Sequence, residues 1–271
     1  MLVKNIGGIS ILKKSVILLF LMLFISSTTA NVSVLNAPNE KSIIDIAKIY
    51  HASLTYIFKQ QLLINSDSQN KEALFGQPFI NNIKTTYQDM YSIPFPKVTN
   101  EYIDSLLTLM ILVMEDNRTL LLDTDIGFKG FIPTIFAFQL SQKFKQRGYG
   151  INIKFTNFEE RIRNKLNSPD YWEQTALARL KEEGVEEVLD NKVYFKGNLA
   201  FRYMKVIKVT SMCLSCHGTP QDNPFNRGKN KNQWSLKDNT GFRMEGWKLG
   251  EIGGAISVVL YLNNQDIYEK K

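Results

Sequence analysis

Three residues in the stretch VTSMCLSCHGTPQDNPF (residues 209–225) could do chemistry at close spacing: Cys213, Cys216 and His217. They include both cysteines and one of the two histidines of the chain. Cys-x-x-Cys serves a thiol–disulfide switch, half of a zinc site or the anchor of a c-type haem. A switch needs its motif at the start of a helix after a strand, in a βαβ unit, where the helix dipole lowers the pKa of the attacking thiol. Here the motif falls in the loop after a hairpin strand and precedes GTPQDNPFNRGKNKNQW, which has two prolines, two glycines and no helical period. Zinc needs four ligands, so His51 and His217 would both have to join the cysteines, and adjacent Cys216 and His217 make an awkward pair on one tetrahedral ion. A covalent haem employs all three residues: the thiols add to the two vinyl groups and the neighbouring imidazole becomes the proximal iron ligand. The expectation is one haem c on Cys213 and Cys216 with iron on His217, and a thiol–disulfide oxidoreductase is the weaker alternative.

The compartment agrees with covalent haem attachment. Lys4, Lys13 and Lys14 precede the apolar run SVILLFLMLFI (residues 15–25), and SSTTA follows, with Thr28 and Ala30 placed for cleavage after Ala30. This is the layout of a secretory signal peptide over residues 1–30. The run is shorter than the roughly 20 apolar residues of a spanning helix, so an uncleaved anchor is the lesser reading. Either way the sequence predicts a periplasmic location for residues 31–271. Removing the three lysines leaves 30 basic against 26 acidic residues, a net +4. These charges are scattered, so a nucleic-acid partner is not expected.

The elements that must hold the motif are legible in outline. SIIDIAKIYHASLTYIFKQQLLIN has apolar residues at 43, 47, 50, 54 and 57, and again at 44, 47, 54 and 58 with His51 on that same face, which predicts a long helix with Ser42 as its cap. KEALFGQPFINNIKTTYQDMYSI has mixed periodicity up to the break at Pro94–Pro96. A helix over NEYIDSLLTLMILVME is expected to be capped by Thr99 or Asn100, and another runs from Pro133 to the Gly148–Gly150 stop. INIKFT alternates as a strand, SPDYWEQTALARLKEEG reads as a short helix starting at Ser168–Pro169, and KVYFKGNLAFRYMKVIKV is a hairpin about Gly197 and Asn198. GGAISVVLYL closes the chain as a buried strand. The class is α+β, helices first and an antiparallel sheet last, in a single domain over 31–271.

Several blocks in order, GFKGFIPTIFA, RIRNKLNSPDYWE, RYMKVIKVTSMCLSCHG and DNTGFRMEGWKLGEIGGAISVVL, resemble the Tll0287-like haem-c-binding family. The likeness runs from about Asp125 to Leu262, together with the N-terminal helix. It implies a PAS-like antiparallel sheet with a long N-terminal helix and flanking helices, and covalent haem at Cys213 and Cys216 with His217 proximal. Members are similar to redox or gas sensors, including sensor modules of histidine kinases, or to small electron carriers. In the family pattern the distal ligand is a cysteine on the N-terminal helix, and this chain has none there.

His51, on the N-terminal helix, is the foremost substitute for that ligand. Met204, Met212, Met110 and Met114 are the next candidates, and an open position is the third alternative. Two protein ligands favour electron transfer or redox sensing, whereas an open site admits a diatomic gas. By the resemblance Arg161, Arg163, Asn164 and Asn167 lie near the haem loop, where they could bind propionates or cap the loop. Arg202 and Tyr203 enter the motif on opposite strand faces, so one of them should face the haem. No catalytic triad, phosphate loop or carboxylate pair in a defined context is present, so an enzyme is not expected. The reading is an exported monohaem cytochrome that senses a redox state or a gas and reports to a signalling protein. A plain carrier that passes electrons to a redox partner is the alternative.

Overall fold

Helices form where apolar residues recur at three and four, and the chain from Ile151 onward supplies the strands of a sheet. The computed structural model describes residues 39–97, 101–148 and 150–262, which belong to one compact unit. The expected signal peptide and the expected caps Thr99 and Asn100 lie outside the described residues. The elements run α1 (Glu40–Lys59), α2 (Gln61–Asn65), α3 (Gly76–Tyr91), α4 (Glu101–Asp116), α5 (Arg118–Leu122), α6 (Pro133–Arg147), β1 (Ile151–Thr156), α7 (Tyr171–Glu182), β2 (Glu187–Phe195), β3 (Asn198–Lys208), α8 (Ser211–His217) and β4 (Ile252–Tyr261). The α+β class and the long N-terminal helix are as the sequence predicts.

The four strands form one antiparallel sheet in the order β1-β4-β3-β2. The hairpin β2–β3 turns at Lys196 and Gly197, both at positive φ (50° and 80°), which matches the right-handed strand twist. β4 lies in the interior and is buried without a break from Gly253 to Leu260, which explains its uniformly apolar sequence. On one face Tyr203, Ile256, Val258 and Leu260 join the large core built by α1, α3, α4 and α6. On the other face Met204, Val206 and Ala255 pack against Ala176, Leu177 and Leu180 of α7.

Three local expectations need correction. Asn39, not Ser42, caps α1: its side chain is extended from the helix and accepts from the Ser42 amide at 2.9 Å. α7 begins at Asp170 instead of Ser168–Pro169, because Asp170 Oδ1 accepts from the Glu173 amide while Glu173 Oε2 accepts from the Asp170 amide. The motif itself is helical, not a loop. Thr210 leaves β3 in an extended conformation, and its side chain pairs reciprocally with Cys213, three positions on, to start α8.

Candidate functional site

α8 places Cys213, Cys216 and His217 at i, i+3 and i+4, which puts all three on one side of a single helical turn. Both thiols are free and half-buried. Burial raises the Cys216 thiol above the ordinary range, with the nearby Asp238 and Glu245 adding to it against the Ser215 hydroxyl and Arg163. That is the opposite of an activated thiolate.

The helix stops at Gly218 for a steric reason. A Cβ there would stand 2.6 Å from the Leu214 carbonyl oxygen and 2.6 Å from Asp222 Oδ2. Asp222 in turn accepts from the Thr219 amide and hydroxyl, both at 2.7 Å, so the chain turns sharply away from the motif. The segment 218–250 then returns to it. The amides of Gly246 and Trp247 donate to the carbonyls of Gly218 and His217 at 2.9 and 2.8 Å, and Gly250 donates to Val209 at 2.9 Å.

His217 is gripped on two sides. Its ring lies flat on Trp247, centroids 4.2 Å apart and planes 14° from parallel, and its Nδ1 meets Glu245 Oε2 at 3.1 Å. Among the described residues no hydrogen bond engages Nε2. Arg161 covers the Trp247 ring at 5.0 Å and donates to the Ile252 carbonyl at 2.8 Å and to Glu251 at 3.2 Å.

Arg163 is the hub of the site. Its Nε and Nη2 take the two oxygens of Glu245 at 2.6 and 2.8 Å, Nη1 takes Asp238 Oδ2 at 2.6 Å, and Nη2 also reaches the Cys216 carbonyl at 3.3 Å. Burial by itself would raise Glu245, but the hydrogen bonds from His217 and Arg163 outweigh it and hold the carboxyl down at about 2. Asp238 follows the same balance: burial opposes ionisation, while Thr240 and Arg163 lower it. Glu245 is therefore a carboxylate, and it fixes the imidazole with a proton on Nδ1.

The sequence-predicted residues divide into two groups. Arg161 and Arg163 are brought to the motif, where they brace the returning segment. Asn164 caps a 3-10 turn, accepting from the Leu166 amide at 3.0 Å, and Asn167 offers its carbonyl to Thr156. Arg202 and Tyr203 do point to opposite faces, but neither is at α8. Arg202 pairs with Asp170 at 2.7 Å, and Tyr203, fully buried against the helical core, donates to Glu187 at 2.5 Å. Six residues of β3, 203–208, separate Arg202 from Val209, about 20 Å of chain.

His51 sits on the sheet-facing side of α1, with Nδ1 2.8 Å from the Tyr91 hydroxyl. Burial first, then the charge of Lys205, pushes its pKa down to about 4, so the ring is neutral. Met110 and Met114 are fully buried in the large core and Met204 in the α7 cluster, whereas Met212 is half-buried within α8 itself. Among the described residues no group of three or more His, Cys, Asp or Glu is placed to hold a metal ion, so the zinc reading has no site there.

Glu245, Trp247, Asp238 and Gly218 escaped the sequence reading. Asp238, Glu245 and Trp247 lie 22 to 34 positions from the cysteines in a segment without periodicity, and their only signal was the block DNTGFRMEGWKLG, while Gly218 directly follows the motif.

The Tll0287-like family matches residues 39–260. The chain belongs to this family. The match takes in α1, the sheet, the motif and its returning segment, so the N-terminal helix is part of the Tll0287-like unit. Among solved structures, the cyanobacterial heme-protein Tll0287 is 16% identical, with a TM-score of 0.33 over 59% of this chain and 92% of that one. No curated protein matches the chain.

Proposed function

We propose that this Tll0287-like protein is an exported monohaem c-type cytochrome, with haem bound covalently at Cys213 and Cys216 and iron on His217. The observation that carries the reading is the state of His217: Nδ1 is held by an ionised Glu245, the ring is fixed by Trp247, and Nε2 has no partner. A metal-ligating histidine has this arrangement, with its other nitrogen donating to a carboxylate that orients the ring and raises its basicity. The donor set fits the group in two further ways. Both thiols are unpaired and within one helical turn of the imidazole. The segment 218–250 also exposes Phe225, Leu236, Phe242 and Leu249, an apolar surface suited to a large flat ligand.

Bound haem would supply one-electron redox chemistry and an axial position for a ligand. The protein's share is to hold the proximal imidazole in one tautomer and one orientation, and to keep an anionic charge 3.1 Å behind it. His51 remains the leading candidate for the sixth position. It is neutral, and with its proton on Nδ1 toward Tyr91 its Nε2 lone pair is free. The sensing role follows the family resemblance, with a signalling protein as partner, and a periplasmic electron carrier is the alternative. Adding CO to the reduced protein separates them. A new CO spectrum supports a displaceable ligand and gas sensing, and an unchanged one supports a fixed pair and electron transfer. A spectrum unaltered by His51→Ala would remove His51 from the iron.

The position of Cys213 near the start of a helix that follows a strand favours a thiol–disulfide reading more than the sequence did. The raised thiol of Cys216 opposes it. Alkylation of the mature protein under denaturing conditions distinguishes the two: haem thioethers do not react, and free or reduced cysteines do.

A further inference from the structure

Arg202 is the most constrained cation of the sheet, and it is incompletely used. It is 2% exposed, its guanidinium lies between the rings of Trp172 (4.4 Å) and Phe195 (4.6 Å), and its Nη2 donates to Asp170. Its Nε–H is buried with no acceptor. Buried donors are nearly always satisfied, because leaving one unpaired forfeits its hydration. The clamping rings prevent the guanidinium from turning to find a partner, so an acceptor has to come to it.

Arg202 lines a cleft of about 270 Å³ between α6, the outer face of β1, β4 and β3, and the turn before α7. Lys154 also lines it, and Lys145 and Lys196 stand there as exposed residues. The two carboxylates of the cleft are already engaged. Asp170 serves Arg202 and the α7 cap, and Glu173 serves Lys154 at 2.7 Å, the same cap and, at 3.6 Å, Arg202 Nη2. Among the described residues no carboxylate pairs with Lys145 or Lys196, so the cleft has an excess of two positive charges. Phe155 and Val259 give it an apolar wall as well.

We propose that this cleft binds a small organic carboxylate, a monocarboxylate or short dicarboxylate, with one oxygen on the Arg202 guanidinium and the lysines completing the charge. A guanidinium N–H is a strong donor to a carboxylate, and the apolar wall suits its carbon chain. The volume lies just below the usual range of small-molecule pockets, which selects a ligand of a few carbon atoms. The cleft is distinct from the motif: about 20 Å of β3 separates them, and the α7 cluster packs on Met204 and Val206 in the interval.

The test is isothermal titration of the full chain with acetate and with succinate, against sodium chloride and inorganic phosphate at matched ionic strength. One carboxylate should give saturable binding at one site, weakened at least tenfold by Arg202→Lys and several-fold by Lys145→Ala or Lys196→Ala. The two lysine variants change exposed side chains and keep the fold, so they decide the matter even where Arg202→Lys does not fold. Absence of saturable heat with both carboxylates overturns the proposal. So does undiminished binding in both lysine variants, or phosphate binding as tight as the carboxylate.

Discussion

Glu245 takes Nδ1 of His217 at 3.1 Å while both of its oxygens rest on Arg163, at 2.6 and 2.8 Å. The imidazole thus has an anionic partner whose own charge is stabilised from behind. An anionic acceptor makes the ring a stronger donor to iron and favours the oxidised state. Glu245→Gln keeps the shape and removes the charge, so the midpoint potential of the haem protein should rise with haem content unchanged. A spectroelectrochemical titration checks this, and equal potentials in the two proteins would contradict the role given to Glu245.

Arg163 joins two carboxylates to the motif, and the side chain of one, Asp238, is fully buried. Removing one partner of a buried ion pair leaves a charge without compensation. Arg163→Ala should therefore destabilise the protein by about 3 kcal/mol in urea denaturation. Arg163→Lys should recover only part of the loss, since an ammonium cannot make the two-pronged contact to Glu245.

Gly218 is not at positive φ, and what stands against a side chain there is a lack of space. The methyl group of Gly218→Ala would meet the Leu214 carbonyl oxygen and Asp222 at 2.6 Å. Overpacking of this kind costs about 1–3 kcal/mol. The variant should show a lowered melting temperature and a smaller haem yield per chain, whereas Gly127→Ala, at an open position without a positive φ, should leave the haem yield unchanged.

His51 makes stability depend on pH. Its value falls from 6.5 to about 4 on folding, through burial first and Lys205 second. The unfolded chain therefore binds this proton more readily. The contribution of His51 is complete above pH 6.5 and is withdrawn as the pH falls from 6.5 toward 4, by about 3 kcal/mol at most. Urea midpoints measured across that window should slope less in His51→Gln than in the parent protein. Parallel slopes would show that His51 is already protonated or exposed in the folded state.

Periodic and local signals carried well from sequence to fold. The apolar spacing of α1, Pro133 opening α6, Gly148 closing it and the Gly197 turn all depend on a few neighbouring residues. Asn39 displaced Ser42 because a cap depends on backbone direction, which composition does not encode. The motif helix was missed for a related reason: α8 is only about two turns, started by Thr210 and stopped by Gly218, too short to show a period. Within the site, Cys213, Cys216 and His217 were legible because their chemistry is written in adjacent positions. Arg161 and Arg163 were legible as neighbours of the motif, for propionates or for capping the loop, and the structure sets them on Glu251, Glu245, Asp238 and Trp247. Those partners are distant in sequence, and only the return of the segment 218–251 brings them to the two arginines.

The central claim is tested most directly by expressing the chain with cytochrome c maturation functions and measuring its intact mass and pyridine haemochrome under denaturing conditions. The account predicts one haem per chain, retained after denaturation and lost in the Cys213→Ala, Cys216→Ala double variant. A polypeptide mass without haem, from cells that mature a control cytochrome, would contradict it.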